Sequence, residues 1–118
     1  LDSFPVRHLL NRHAVRTGTP FVHAGVEGLV GQMTFISPRE TPCLYCLFPG
    51  SPRAKEIFPI AGFASGIIGT LQAGEAVKWL AGVGETLSGR LLFVDTSAME
   101  FETVPVRRNA ACPVCGRQ

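Results

Sequence analysis

Apolar side chains recur at helical spacing in two segments of the chain. The first helix is predicted to begin at Asp2 or Ser3, either of which can cap it, and to end at Gly18. The second helix is predicted from about residue 64 to residue 80, with Gly82 ending it. Its inward-facing side chains are expected to be Ile67, Ile68, Leu71, Val77 and Leu80.

Four segments have the alternation that is typical of strands. PFVHAGV and GLVGQMTFIS are predicted to pair through a tight turn at Glu27-Gly28, with Leu29, Met33 and Phe35 on one face of the second strand. GRLLFVDTS and MEFETVPVR are predicted to form a second hairpin. Residues 37–59 contain five prolines and are predicted to be a loop. The expected order is helix, two strands, loop, helix, two strands.

Composition describes an ordinary globular chain of one domain, or part of one. Its 118 residues are 46% apolar and 17% charged. The net charge of +2 is scattered, with no basic run beyond Arg107-Arg108, so nothing favours binding to nucleic acid or to an anionic membrane. The chain begins with Leu1 rather than Met, and we expect it to be the C-terminal part of a longer protein.

No segment has the pattern of a signal peptide, which favours a cytoplasmic protein. Residues 57–74 are uncharged for 18 positions, but they contain a proline, a glutamine and four glycines. This composition predicts the start of a buried helix rather than a membrane span. Gly62, Gly66 and Gly69 are interpreted as positions of tight helix packing rather than a phosphate loop, because no strand precedes them.

All four cysteines occur in two C-x-x-C pairs, Cys43 with Cys46 and Cys112 with Cys115. Three interpretations are open: a structural zinc site, two disulfides, or a redox-active pair. Zinc is favoured, since the chain shows no secretion signal and neither pair follows a strand at the start of a helix. A single zinc on the four thiolates would fasten the loop after residue 37 to the tail after residue 108.

An ordered set of motifs accompanies these cysteines. LDSFPVRHLLN is similar to a D-N-x-x-x-R-x-x-x-N helix start, PCLYCLFP to a first zinc loop, GIIGTLQAGEAVKWLAG to a signature helix, SGRLLFVDTSAMEFETVPVRR to a terminal hairpin and CPVCG to a closing zinc pair. Over nearly all of its 118 residues the chain resembles the C-terminal half of the HesA/MoeB/ThiF family, relatives of ubiquitin-activating enzymes.

The resemblance implies a fold class and an activity. The fold would be α/β, the C-terminal half of a Rossmann-like ubiquitin-activating-enzyme fold, with a mixed sheet, an antiparallel edge hairpin and a four-cysteine zinc site. The activity would be ATP-dependent adenylation of the C-terminal Gly-Gly carboxylate of a ubiquitin-like sulfur-carrier protein, in a sulfur-transfer route of the molybdopterin or thiamine type. The family's phosphate-binding glycine loop lies upstream and is absent here, so we expect these residues alone to be inactive.

The resemblance also assigns residues and partners. Asp2 would be the catalytic aspartate that binds Mg²⁺ and ATP, and Arg7 and Asn11 would help to shape the nucleotide region. The full-length protein would bind structural zinc, ATP and Mg²⁺ and would form a homodimer. Capping of the first helix is a simpler explanation for Asp2.

Three departures from the family pattern bear on the function. Ser3 replaces the asparagine of the family motif, Phe58 stands near the place where many relatives carry a cysteine, and Gly66 replaces a proline. Thioester or persulfide chemistry on that cysteine is therefore excluded for this chain. The missing cysteine favours an alternative function, a non-catalytic, zinc-stabilised module for protein docking or dimerisation.

Overall fold

The chain folds into helices packed on an antiparallel sheet. The computed structural model describes residues 3–50 and 59–116. Its elements are α1 (Phe4–Thr17), β1 (Phe21–Glu27), β2 (Val30–Ile36), α2 (Leu44–Leu47), α3 (Gly62–Ala81), β3 (Arg90–Asp95) and β4 (Glu100–Pro105). The predicted order is confirmed, with one addition: the single-turn helix α2 lies inside the predicted loop.

The four strands form one open sheet in the order β1-β2-β3-β4. Every neighbouring pair is antiparallel, and the middle pair is held in register by partners such as Met33 with Leu92 and Val30 with Asp95. Both predicted hairpins are confirmed, and the described strands do not close into a barrel. The parallel part of the expected mixed sheet is not found among these strand pairs.

The main core lies between α3 and the sheet. Met33, Phe35 and Val94 are buried against Ile68 of α3. Gly31 allows this close approach, because a Cβ at that position would lie 2.5 Å from Cγ1 of Ile68. Leu29 was expected on the same face as Met33, but it precedes β2 in the turn and is 39% exposed.

The inward face of α3 differs from the prediction. Its buried positions are Ala64, Ile68 and Glu75, whereas Val77 is 60% exposed and Leu80 is 76% exposed. At about 100° per residue, Val77 lies on the opposite side of the helix from Ile68. The prediction is confirmed for Ile67, Ile68 and Leu71, which belong to the core or pack against it, and is wrong for Val77 and Leu80. The buried position of Glu75 was not predicted, because apolar periodicity assigns such a position to a hydrophobic residue.

The glycines of α3 do not make the predicted packing contacts. A Cβ added at residue 62, 66 or 69 would meet no atom within 4 Å among the described neighbours.

Both long helices do end as predicted, at Gly18 and Gly82, each in the left-handed conformation. Ser3 is the N-cap residue of α1, but its side chain makes no capping hydrogen bond within the described residues. None of the helices in residues 3–50 and 59–116 combines the length and apolar character that crossing a membrane requires.

Glu75 fixes the connection between α3 and β3. Its side chain is 5% exposed, and Oε2 accepts a 2.7 Å hydrogen bond from the backbone N–H of Leu87. Oε1 lies 2.5 Å from Nζ of Lys78, one turn along the helix. The buried carboxylate therefore has both a hydrogen-bond donor and a cation as partners, as a buried charge requires.

Replacing Glu75 with alanine is expected to lower the free energy of unfolding by about 1–3 kcal/mol, because the buried N–H of Leu87 loses its acceptor. Glu85→Ala, at an exposed position close to the same loop, is the matched control and should change stability little. Urea unfolding of the two variants measures the difference. Equal midpoints for both variants would contradict this account of Glu75.

Candidate metal centre

The two C-x-x-C pairs meet at one point in the structure, although 69 residues separate them. Sγ of Cys43 lies 3.8 Å from Sγ of Cys46 and 3.8 Å from Sγ of Cys112. Sγ of Cys46 lies 3.4 Å from Sγ of Cys115, and all four sulfur atoms lie within 4.8 Å of one another. We call these four residues the cysteine cluster.

The cysteine cluster has the dimensions of a four-sulfur metal site. Four sulfurs at about 2.3 Å from a tetrahedral zinc ion are about 3.8 Å apart, close to the separations found here. All four residues are free thiols, and the shortest of these Sγ–Sγ distances, 3.4 Å, is far longer than a disulfide bond of about 2.05 Å. The cluster could therefore hold a metal ion, and a closed four-sulfur shell would leave no coordination position for a substrate.

Short turns bring each pair of thiols to the same side of its loop. Cys43 is the N-cap residue of α2, so one helical turn separates it from Cys46. In the tail, the backbone N–H of Cys112 donates to the carbonyl of Asn109 at 3.0 Å, and the N–H of Gly116 donates to the carbonyl of Cys112 at 2.9 Å. These hydrogen bonds give the tail cysteines a compact turn without a regular helix or strand.

The electrostatic surroundings of the four thiols are unequal. Burial raises the pKa of Cys43 to about 12, against a smaller lowering effect of the Asn11 side chain. Burial also raises the pKa of Cys46. At Cys112 burial acts in the same direction, but hydrogen bonds from the backbone at Cys115 and Val114 outweigh it and lower the pKa to about 7. A metal ion must therefore displace protons from Cys43 and Cys46, which makes metal affinity pH-dependent.

Two groups that the sequence analysis did not identify hold the cluster in place. Arg108 donates from Nη1 to the carbonyl of Arg39 at 3.3 Å and from Nη2 to the carbonyl of Cys115, so it joins the tail to the segment before α2. Val15 of α1 packs on the cysteines as part of a second apolar cluster. Arg108 ends the terminal hairpin motif, but only the three-dimensional arrangement shows that it and Val15 contact the cysteine loops.

Arg7 and Asn11 lie one turn apart on α1 but have different partners. Nη1 of Arg7 donates to the carbonyl of Ala24 on β1 at 2.9 Å, and the Arg7 side chain lines an open cavity of about 330 Å³. Gly25 and Gln72 are among the other residues of this cavity. Asn11 is fully buried, and its Oδ1 accepts a 2.9 Å hydrogen bond from the N–H of Leu44, beside the cysteine cluster. Asp2 and Phe58 lie outside the described residues.

The three histidines differ in their exposure to solvent. His8 and His23 are buried, and His13 is exposed. Burial, together with the nearby Arg7 guanidinium, lowers the pKa of His23 to about 4, so this imidazole is neutral near pH 7. Among the described residues, no histidine or carboxylate joins the four thiols of the cysteine cluster.

Comparison with known proteins identifies the family of this chain. The ThiF family model matches residues 1–114, and the chain belongs to the ThiF family. It is 45% identical over 120 residues to a SAMP-activating enzyme E1 of Haloferax volcanii, covering 98% of this chain and 44% of that protein. It is 38% identical over 125 residues to a sulfur carrier protein adenylyltransferase of Thermus thermophilus, covering 98% of this chain and 46% of that protein.

A solved structure shows the same fold at low sequence identity. Escherichia coli MccB with ATP superimposes with a TM-score of 0.80 at 17% identity, over 96% of this chain and 37% of that one. The present chain thus spans less than half the length of each relative named here. The proposed resemblance to the HesA/MoeB/ThiF family is confirmed.

Proposed function

We propose that this chain is the C-terminal part of an ATP-dependent adenylyltransferase that activates the C-terminal Gly-Gly carboxylate of a ubiquitin-like sulfur-carrier protein. The match to the ThiF family over residues 1–114 carries the proposal. The relative in Thermus thermophilus supports it, because its name describes adenylation of a sulfur carrier protein. In this reaction the carboxylate attacks the α-phosphate of ATP, pyrophosphate leaves, and the resulting acyl-adenylate can accept sulfur.

In the proposed enzyme, the nucleotide region begins at the N-terminal end of α1. Asp2 would bind Mg²⁺, which would spread the negative charge of the triphosphate during transfer. Arg7 contributes a guanidinium to the wall of the open cavity between α1, β1 and α3. Asn11, one turn further along α1, would support this region from its buried position.

Upstream residues would complete the proposed domain. Within the described sheet β1 is an edge strand. Its carbonyls at Val22 and Ala24 accept side-chain hydrogen bonds from Gln72 and Arg7 instead of pairing with another strand. Parallel strands preceding Leu1 would extend the sheet on this side in a Rossmann-like arrangement. A cytoplasmic location agrees with four free thiols.

Zinc is the metal that we propose for the cysteine cluster. Four thiolates at tetrahedral separations suit zinc, whose structural sites are commonly of this kind. The ion would fasten α2 and its loop to the tail and would take no part in the reaction. This closed shell is also the observation that favours the alternative function, a zinc-stabilised docking or dimerisation module without catalysis.

The first test of the proposal is the metal itself. Protein purified without added metal is expected to contain one zinc per chain. In Gly116→Ala the new Cβ would lie 2.5 Å from the carbonyl oxygens of both Ala110 and Cys112, so the tail turn must open. We expect zinc affinity to fall by about 10–100-fold, as for other changes next to the ligands.

Gly74→Ala is the control for this change, because a Cβ at that exposed helical position meets no described atom within 4 Å. Elemental analysis and competition with a chromogenic chelator give the stoichiometry and the affinity. Two disulfides and no metal would contradict the zinc site, and equal affinities of the two alanine variants would contradict the role of the tail turn.

The second test concerns Asp2. In the full-length protein, Asp2→Asn is expected to reduce carrier-dependent ATP–pyrophosphate exchange by roughly 10²-fold or more, because the lost charge weakens magnesium binding at the triphosphate. Folding and zinc content should not change. Asp95→Asn, at an exposed turn of the β3–β4 hairpin, is the control. The assay uses a purified ubiquitin-like carrier that ends in Gly-Gly.

Unchanged exchange in Asp2→Asn would contradict the proposed role of Asp2 in binding magnesium and ATP. Absence of exchange in the unmodified full-length protein, with zinc bound and the carrier present, would favour the non-catalytic module.

The third test concerns the homodimer that we propose. Apolar side chains exposed on α3 support it: Phe63 is 60% exposed, Trp79 is 50% exposed and Leu80 is 76% exposed. Sedimentation of the full-length protein should show a dimer that Leu80→Glu weakens and Thr19→Glu, at an exposed position outside α3, does not. A monomer at high concentration would exclude this arrangement.

A further inference from the structure

Asn11 has two polar groups in a fully buried position on α1. One of them is satisfied, since Oδ1 accepts the N–H of Leu44 at 2.9 Å. Leu44 directly follows Cys43, so this hydrogen bond fastens α1 to the backbone of the first metal-binding turn. Because a backbone N–H can only donate, the contact must be made by the amide oxygen, and this fixes the direction of the amide nitrogen.

The amide nitrogen of Asn11 is the unsatisfied group. Nδ2 is buried and has no hydrogen-bond partner among the described residues. Buried donors without acceptors are uncommon in native proteins and call for an explanation. The hydrogen bond from the N–H of Leu44 to Oδ1 places this amide beside the first turn of α2, one residue from Cys43, which is the N-cap residue of that turn. A metal-bound sulfur carries negative charge and can accept a hydrogen bond. Without the metal, Nδ2 has no acceptor among the described residues.

We propose that Asn11 is a positioning residue of the metal centre, with Nδ2 donating an N–H···S hydrogen bond to the metal-bound thiolate of Cys43 while Oδ1 holds the N–H of Leu44. The inference rests on the proposed zinc site. A hydrogen bond of this kind orients the sulfur and reduces its excess charge, and outer-shell partners of this sort commonly affect metal affinity by about 10–100-fold. The same side chain thereby joins α1 to the cysteine cluster.

Asn11→Asp separates the two contacts of the side chain. The aspartate keeps an oxygen for the N–H of Leu44 but replaces the donor at Nδ2 with a second acceptor that repels the thiolate. In the full-length protein we expect zinc affinity to fall by about 10–100-fold or more and zinc release to a chromogenic chelator to accelerate correspondingly. Gln32→Glu, an amide-to-acid change on β2, is the matched control for the added charge.

Substitution with Co²⁺ provides a readout that a purely structural role would not affect. Loss of an N–H···S hydrogen bond raises the energy of the sulfur electrons, so the sulfur-to-cobalt charge-transfer band should move to longer wavelength in Asn11→Asp. If the aspartate prevents folding, the uncharged Asn11→Leu variant, of similar size, removes both contacts of the side chain, and faster metal release and the same band shift are expected.

The outcomes distinguish the inference from the proposal on which it rests. One zinc in the unmodified protein, with affinity and band position unchanged in the Asn11 variants, would overturn the role of Asn11 alone. No zinc in the unmodified protein would overturn the zinc site and this inference together. Weaker binding with the band shift supports both.

Discussion

Four thiols from two distant turns converge at one point, and the packing of the α2 turn and of the tail depends on this contact. The tail after β4 has few apolar side chains of its own, whereas Leu44 of α2 is buried. The apolar cluster around them consists largely of the cysteines themselves, with Val15 from α1. Buried thiolates repel one another and lose hydration, so they are stable together only when a cation neutralises them. A bound metal ion would therefore supply the cohesion that apolar burial supplies elsewhere in the chain.

The sheet core and the cysteine cluster are separate structures, and α1 links them. Met33, Phe35 and Ile68 form a core between the sheet and α3 that needs no metal. From α1, Arg7 bonds to the edge of β1 and Asn11 bonds to the turn that carries Cys43. These two side chains are about 6 Å apart along the helix axis. A shift of the cysteine cluster would therefore move the helix that lines the open cavity.

Local chemistry made much of the fold and of the cysteine cluster predictable from the sequence. Gly18 and Gly82 ended the helices where expected, since only glycine readily takes the left-handed conformation found there. The spacing of the C-x-x-C pairs predicted the cysteine cluster, because two ligands one turn apart suit a tetrahedral ion. The errors arose where tertiary contacts override periodicity: Glu75 is buried because Leu87 and Lys78 satisfy its carboxylate. Asn11 was expected near nucleotide, and no periodicity could show that it reaches the N–H of Leu44.

A metal site with no open coordination position is compatible with an activity that needs ATP if the metal site contacts one part of α1 and the ATP site contacts another. A closed shell would restrict the ion to holding structure, so the chemistry of the proposed enzyme would take place at the side of α1 that faces β1 and α3. There the described residues offer one guanidinium, Arg7, and a cavity open to solvent. That is too few charges to stabilise a triphosphate, which agrees with a chain that spans less than half of its relatives. The contribution of this part of the protein is thus chiefly positional: the metal centre would hold Cys43, Asn11 would transmit that position to α1, and α1 would present Arg7 to ligands supplied by the remainder of the protein.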